Sequence, residues 1–220
     1  MLFTADEENA VLAAAGFVND RDFVTALDGL RAQYNKPVAP AGVFRYYHTW
    51  QHALNVLSWS NTASMRLFEP AVRQALGWAA LVHDAVYDEL GSPENERRSA
   101  DLLPGEALLA RHLVMLTSQH GMLDSNDVTP AQAYFLDCDM AAFLCDPRWE
   151  VVLCNDRNIR KELRQVYSER EVAEGRAKFL KQLYDGRYIF LSKYFQQEHE
   201  QLARHNLWHL VFGDLYKKAK

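Results

Sequence analysis

Three stretches of this chain set ionisable side chains inside apolar runs, and their residue types are those that grip metal ions. The first is Ala75-Leu-Gly-Trp-Ala-Ala-Leu-Val-His83-Asp84-Ala-Val-Tyr87, in which eight mostly apolar residues lead straight into an adjacent His and Asp. A helix of that pattern is buried on most of its circumference. A buried carboxylate without a partner costs several kcal/mol and prefers to take up a proton. A cation removes the difficulty, because it favours ionised Asp and neutral His together. The plainer reading of the pair is a helix-end cap or a bond to a neighbouring arginine.

The second stretch is Arg45-Tyr-Tyr-His48-Thr-Trp-Gln-His52-Ala-Leu-Asn-Val56. His48 and His52 are four apart and share a face if the segment is helical. Both could bind one metal, or one could bind while the other faces substrate. The third is Tyr134-Phe-Leu-Asp137-Cys-Asp139-Met-Ala-Ala-Phe143. Residues two apart do not share a helical face, so one carboxylate could ligate while the other orients a ligating His. With one ligand from each outer stretch, together they supply His, His-Asp and Asp, and two histidines with two carboxylates suit a hydrolytic Mn, Fe, Mg, Co or Zn centre with positions open to water. His205 and His209 are also four apart. Leu207, Trp208 and Leu210 beside them mark a core-packing helix, and no metal is expected there.

The elements that must position these residues read as helices throughout. Thr4 and Glu7 form a capping-box signal ahead of Asn9–Phe17. Asp20 opens an amphipathic stretch to about Tyr34, and Asn35–Val43, with Pro37, Pro40 and Gly42, reads as a loop. Helices are predicted from His48 to about Ala63 and from Glu69 through Asp84. Gly91-Ser92-Pro93 starts Glu94–Leu103. Pro104-Gly105 breaks that helix, and another runs to about His120. Thr129-Pro130 caps Ala131–Leu144, Pro147 and Ser168 begin later helices, and Leu191–Tyr216 reads as one long closing helix. No hairpin dipeptide joins two alternating runs, so the fold class is all-α, helices packed on helices. At 220 residues one domain is expected, large enough to bury roughly 70% of its unfolded surface around a polar site.

Composition narrows the function. Hydrophobic residues are 49% and charged residues 24%, an ordinary globular balance. A net charge of -5, from 29 acidic and 24 basic residues, argues against extended nucleic acid, whose binding needs a surplus of Lys and Arg. A local basic pocket for a small phosphate compound stays open. Apolar stretches stop well short of the ~20 residues of a membrane span, and the acidic start MLFTADEENAVL carries no basic leader signal. Cys138, Cys145 and Cys154 form no CxxC pair and are odd in number, so no disulfide framework is expected and a reducing cytoplasm fits best. No cysteine has an evident activating partner.

The order His, then His-Asp, then Asp resembles the HD superfamily of metal-dependent phosphohydrolases, and within it the bacterial family of small predicted HD phosphohydrolases. The resemblance is carried by Arg45-Tyr-Tyr-His48-x3-His52, His83-Asp84-Ala-Val-Tyr87, Asn95-Glu96-x2-Ser99-Ala100, Thr117-x2-His120, Leu136-Asp-Cys-Asp139, Ile159-Arg160-x-Glu162, Gly175-Arg176 and Ala203-Arg204-x-Asn206-Leu207, over about residues 45–207.

That resemblance implies a single-domain helical bundle of the HD/phosphodiesterase-like type, with His52, His83, Asp84 and Asp139 as metal ligands. Asp139 is preferred to Asp137 by its place in the motif, where Met140 replaces the usual Leu. Cys138 stands where the family often has Ala. The cofactor would be one or two divalent ions (Mn, Mg, Fe, Co, Ni or Zn), a second one bridged by Asp84. His48, as in cyclic-nucleotide phosphodiesterases, would donate a proton to the leaving oxygen while a metal-activated water attacks phosphorus. His120, Arg160 and Glu96 are the candidate substrate contacts, Arg by a bidentate fork; the plainer readings are a helix-end cation, a solvated arginine and a helix-surface acid. The expected partner is a small phosphorylated molecule or nucleotide, and the aromatic-rich Tyr184–Phe195 stretch could support a homodimer. Two alternatives stand beside this: a di-iron oxygenase of the HD type, with Asp88 and His120 as extra ligands, and a catalytically silent nucleotide-binding protein.

Overall fold

The computed structural model describes residues 3–16, 21–35, 44–62, 66–87 and 94–218. Among them are eleven α-helices and no strand, so the all-α expectation is met. The chain divides into two compact units, Met1–His120 and Gly121–Lys220.

The first unit contains α1 (Ala5–Ala14), α2 (Arg21–Tyr34), α3 (Trp50–Ser60), α4 (Pro70–Val82), α5 (Glu94–Ala100), α6 (Leu108–Leu116) and a 3-10 turn over Thr117–Gln119. The capping box of Thr4 and Glu7 forms, and Glu7 takes the Thr4 amide in return. Helix α1 starts at Ala5 and stops at Ala14, where Gly16 turns the chain at a φ of 81° that suits glycine. Its end therefore falls short of the expected Phe17, which lies outside the described residues. The apolar faces of α3, α4 and α6 meet in a sealed core: Leu54, Val56, Leu57, Leu76, Ala79, Ala80, Leu81, Leu113 and Val114 are buried. Helix α4 packs on both α3 and α6, α5 on α6, and α1 on α3.

The second unit contains α7 (Pro130–Leu144), α8 (Trp149–Leu163), α9 (Glu169–Asp185), α10 (Lys193–Glu198) and α11 (Glu200–Lys218). Proline at the first turn and a Thr129–Gln132 capping box start α7, and a Ser168–Glu171 box starts α9. Helix α11 packs on α7, α8, α9 and α10. From Ala133 to Cys145 every residue but Asp139 is buried.

Two element boundaries differ from expectation in ways that bear on the site. Helix α3 begins at Trp50, so His48 lies before the Thr49 N-cap rather than one turn along a shared helix. The closing stretch from Leu191 is broken into α10 and α11 at His199 (φ −128°, ψ −13°), and buried carboxylates hold the backbone ahead of the break. Glu200 accepts the amides of Ile189 and Phe190, and Asp137 accepts those of Leu191 and Ser192. Those bonds fix residues 189–192 ahead of α10, which starts at Lys193 behind a Ser192 N-cap.

Candidate metal centre

The end of α4 brings the first stretch into focus. A helix leaves its last four carbonyls without intrahelical partners. Here the donors are specific. The Ala79 carbonyl takes the His83 amide, Ala80 takes the His83 ring Nδ1–H at 3.0 Å, Leu81 takes the Tyr34 hydroxyl at 2.9 Å, and Val82 takes the Ala85 amide. His83 is 1% exposed. With its proton committed to Ala80 through Nδ1, the neutral ring presents the Nε2 lone pair, the arrangement common to metal-ligating histidines.

That lone pair points at other acceptors. His83 Nε2 lies 2.9 Å from Asp84 Oδ2 and 3.3 Å from His52 Nε2, and His52 Nε2 lies 3.5 Å from Asp84 Oδ2. Three ligand atoms thus meet in a triangle whose sides run from 2.9 to 3.5 Å. Bonds of about 2.0–2.1 Å to one ion place ligand atoms about 2.9 Å apart at right angles and about 3.4 Å apart in a tetrahedron. The triangle fits either geometry. A carboxylate oxygen and an imidazole lone pair repel at 2.9 Å unless a proton or a metal ion lies between them, so the residues present fit a divalent cation.

Burial is the largest influence on the Asp84 carboxyl and pushes its pKa up. Protonated histidines oppose burial: the fields of His83, His48 and His52, with the bond that a protonated His83 Nε2 would donate, hold Asp84 well below the ordinary carboxylate range, and a cation between neutral rings would act on it with the same sign. Asp84 is therefore ionised at neutral pH, the form that binds metal.

His48 reaches the cluster from the bent segment ahead of α3. Its ring stacks on Tyr87 with centroids 4.4 Å apart and meets His52 edge-on at 5.7 Å. The His48–His52 neighbourhood expected from their spacing exists, although a turn before the helix makes it. Tyr47 covers the other side of His52 at 4.6 Å.

Glu96 belongs to the same surroundings, against the plainer reading of it as a surface acid. Helix α5 is pinned beside the His83-Asp84 turn by Ser99, whose hydroxyl accepts the Val86 amide at 2.9 Å and contacts the Val86 carbonyl. One turn earlier on α5, Glu96 is half-buried, and its Oε2 has no hydrogen-bond partner among the described residues. Its pKa is raised, first by burial and then, against its own backbone hydrogen bond, by the Asp84 charge; His83 and His120 pull the other way. Glu96, His120, His83 and Asp84 thus lie within electrostatic reach of one another.

The remaining candidates lie in the second unit. Asp139, on α7, is the sole partly accessible position in its buried run. Asp137 is 2% exposed and holds the amides of Leu191 and Ser192 at 2.8 and 2.7 Å. Arg160, on α8, donates Nε to Asp156, which Arg176 also grips. His209 stacks on Trp149. Asp88 lies outside the described residues. Residues to which the sequence reading gave no role, Arg45, Tyr34, Tyr87 and Ser99, prove to frame the centre. Their signal was the placing of Arg45 and Tyr87 directly beside the candidate ligands.

The cysteines make no disulfide. Burial pushes the Cys138 thiol well above its usual range and the Cys145 thiol up to about 12, so neither is a ready nucleophile. No described helix is long and apolar enough to cross a membrane. Compared with known proteins, the chain matches no family model, no curated protein and no solved structure.

Proposed function

We propose that this chain is a metal-dependent phosphohydrolase of the HD type, acting on a small phosphate ester or nucleotide. The observation that carries the reading is the meeting of His52 Nε2, His83 Nε2 and Asp84 Oδ2 within 2.9–3.5 Å, with the His83 proton held elsewhere. Asp139 completes the ligand set in this proposal, supported by its place in the ordered motif and by its accessibility in a sealed helix.

A bound divalent cation would supply an acidified water and positive charge for phosphate oxygens. The protein's own residues would do the rest. Asp84 as a carboxylate and His83 through Nε2, its Nδ1 occupied by the Ala80 carbonyl, would hold the ion. His48, kept in place by the Tyr87 ring, would hand a proton to the leaving oxygen. His120 would draw phosphate oxygens towards the centre. Glu96, with an unpaired buried oxygen, would hold a hydroxyl or water of the reacting group.

Metal analysis of the native protein beside His83→Ala and Asp84→Ala tests the reading. The native chain is expected to bind Mn, Co or Ni, and each variant to lose at least about 100-fold in affinity, more than changes around a ligand usually cost. Full metal content in both variants would overturn the assignment. Turnover is then sought with phosphomonoesters, cyclic nucleotides and nucleoside triphosphates in the presence of Mn, Mg, Co and Ni. Metal binding without turnover of any of them would leave a binding protein in place of an enzyme.

A further inference from the structure

We infer that Arg45 is the positioning residue of this centre, a rivet joining the chain before α3 to the chain after α4. The inference rests on the metal reading for its functional meaning, and on geometry alone for the joint itself. The Arg45 guanidinium donates Nη1 to the His48 carbonyl at 3.1 Å and to the Asp84 carbonyl at 2.6 Å, and Nη2 to the Ala85 carbonyl at 2.9 Å. One planar group therefore ties the backbone of the proton-donor candidate to the backbone of a ligand, across a sequence separation of 39 for the Asp84 bond.

The surroundings fix the plane of that group. Its carbon lies 5.1 Å from the Tyr34 ring centroid and 5.7 Å from that of Tyr87. Tyr34 is itself anchored on the Leu81 carbonyl, and Tyr87 carries His48 on its ring. Two rings that each touch the metal-bearing segments thus hold the fork that joins those segments. Arg45 Nε is buried with no hydrogen-bond partner among the described residues. An arginine that served only as a surface charge would not sink a donor without an acceptor; the cost is offset by three carbonyls bonded in one geometry.

A lysine cannot reproduce this. Its ammonium is a single point with tetrahedral donors, and it cannot span carbonyls on two segments while lying flat against aromatic rings. Arg45→Lys therefore keeps the charge and removes the joint. Arg45→Gln keeps two N–H donors and removes the charge.

The test measures both variants and the native chain in two ways. The first is cation affinity, by calorimetry with Mn and by the visible spectrum of bound Co. The second is amide hydrogen exchange of the metal-free protein over residues 48–53 and 84–86. The expected result for Arg45→Lys is a loss of at least tenfold in Mn affinity with a changed Co spectrum. Exchange should quicken tenfold or more in those two segments, while α8, α9 and α11 keep native protection. Native affinity, spectrum and exchange in Arg45→Lys would overturn the inference. Loss of helical signal in both variants would also overturn it, since Arg45 would then serve the fold at large. Should the native chain bind no cation, the metal reading fails, and exchange in the two segments alone decides whether Arg45 joins them.

Discussion

Burial lifts the Glu96 carboxyl above its ordinary range, and the neighbouring Asp84 charge adds to the effect. The sign follows from linkage. A carboxyl raised in the folded state contributes stability below its unfolded value, and that contribution is lost as pH rises through the folded pKa. At neutral pH the metal-free protein therefore holds a carboxylate it would rather not ionise. Glu96→Gln in the presence of chelator is expected to melt above the native chain at pH 7.5. The gap should close below the ordinary carboxyl value of 4.5, where the native group is protonated in both states. Thermal unfolding at both pH values decides it, and a destabilised variant at pH 7.5 would remove the buried-charge account. His52, His83 and Asp84 were legible in the sequence because charge inside an apolar run is a visible anomaly. Glu96 was named through the family resemblance alone, since Glu94-Asn95-Glu96-Arg97-Arg98 is polar throughout and only the Ser99–Val86 bond shows which face turns inward.

Asp137 shows the same limit for whole elements. The sequence presents two carboxylates two positions apart on α7 and offers no way to see that one of them organises a distant turn. Asp137 takes two backbone amides from residues 54 and 55 positions further along the chain. Asp137→Ala would leave those amides unpaired, at a cost of about 3 kcal/mol, while Asp137→Asn keeps one acceptor and is expected to cost about half as much. Denaturant unfolding of both variants measures the difference; equal and small losses would show that water replaces the carboxylate. Helix starts marked by Thr4, Thr129 and Ser168 were readable because a capping box is local chemistry. The late start of the closing helices was not, because the carboxylates that hold residues 189–192 are Asp137, more than fifty residues earlier, and Glu200, eleven residues after Ile189.

Across the whole molecule, helical periodicity and the absence of hairpin signals were enough to give the all-α class, whereas the division after His120 has no proline-rich or glycine-rich linker to announce it. Core placement has a chemical readout in the three thiols. Cys154 is exposed, while Cys138 and Cys145 are buried and hard to ionise. Brief alkylation at pH 8 is expected to add one group to the folded protein, at Cys154, and three after denaturation. Mass spectrometry counts them, and rapid labelling of Cys138 in the folded state would mean that α7 is not sealed. The engaged carbonyls at the end of α4 carry a last consequence. A helix terminus whose every acceptor is claimed by a named donor cannot slide or fray cheaply, so the grip on an incoming ion is shaped during folding. The disorder that a floppy chelator surrenders at the moment of capture has, in this protein, already been given up when the chain first folds.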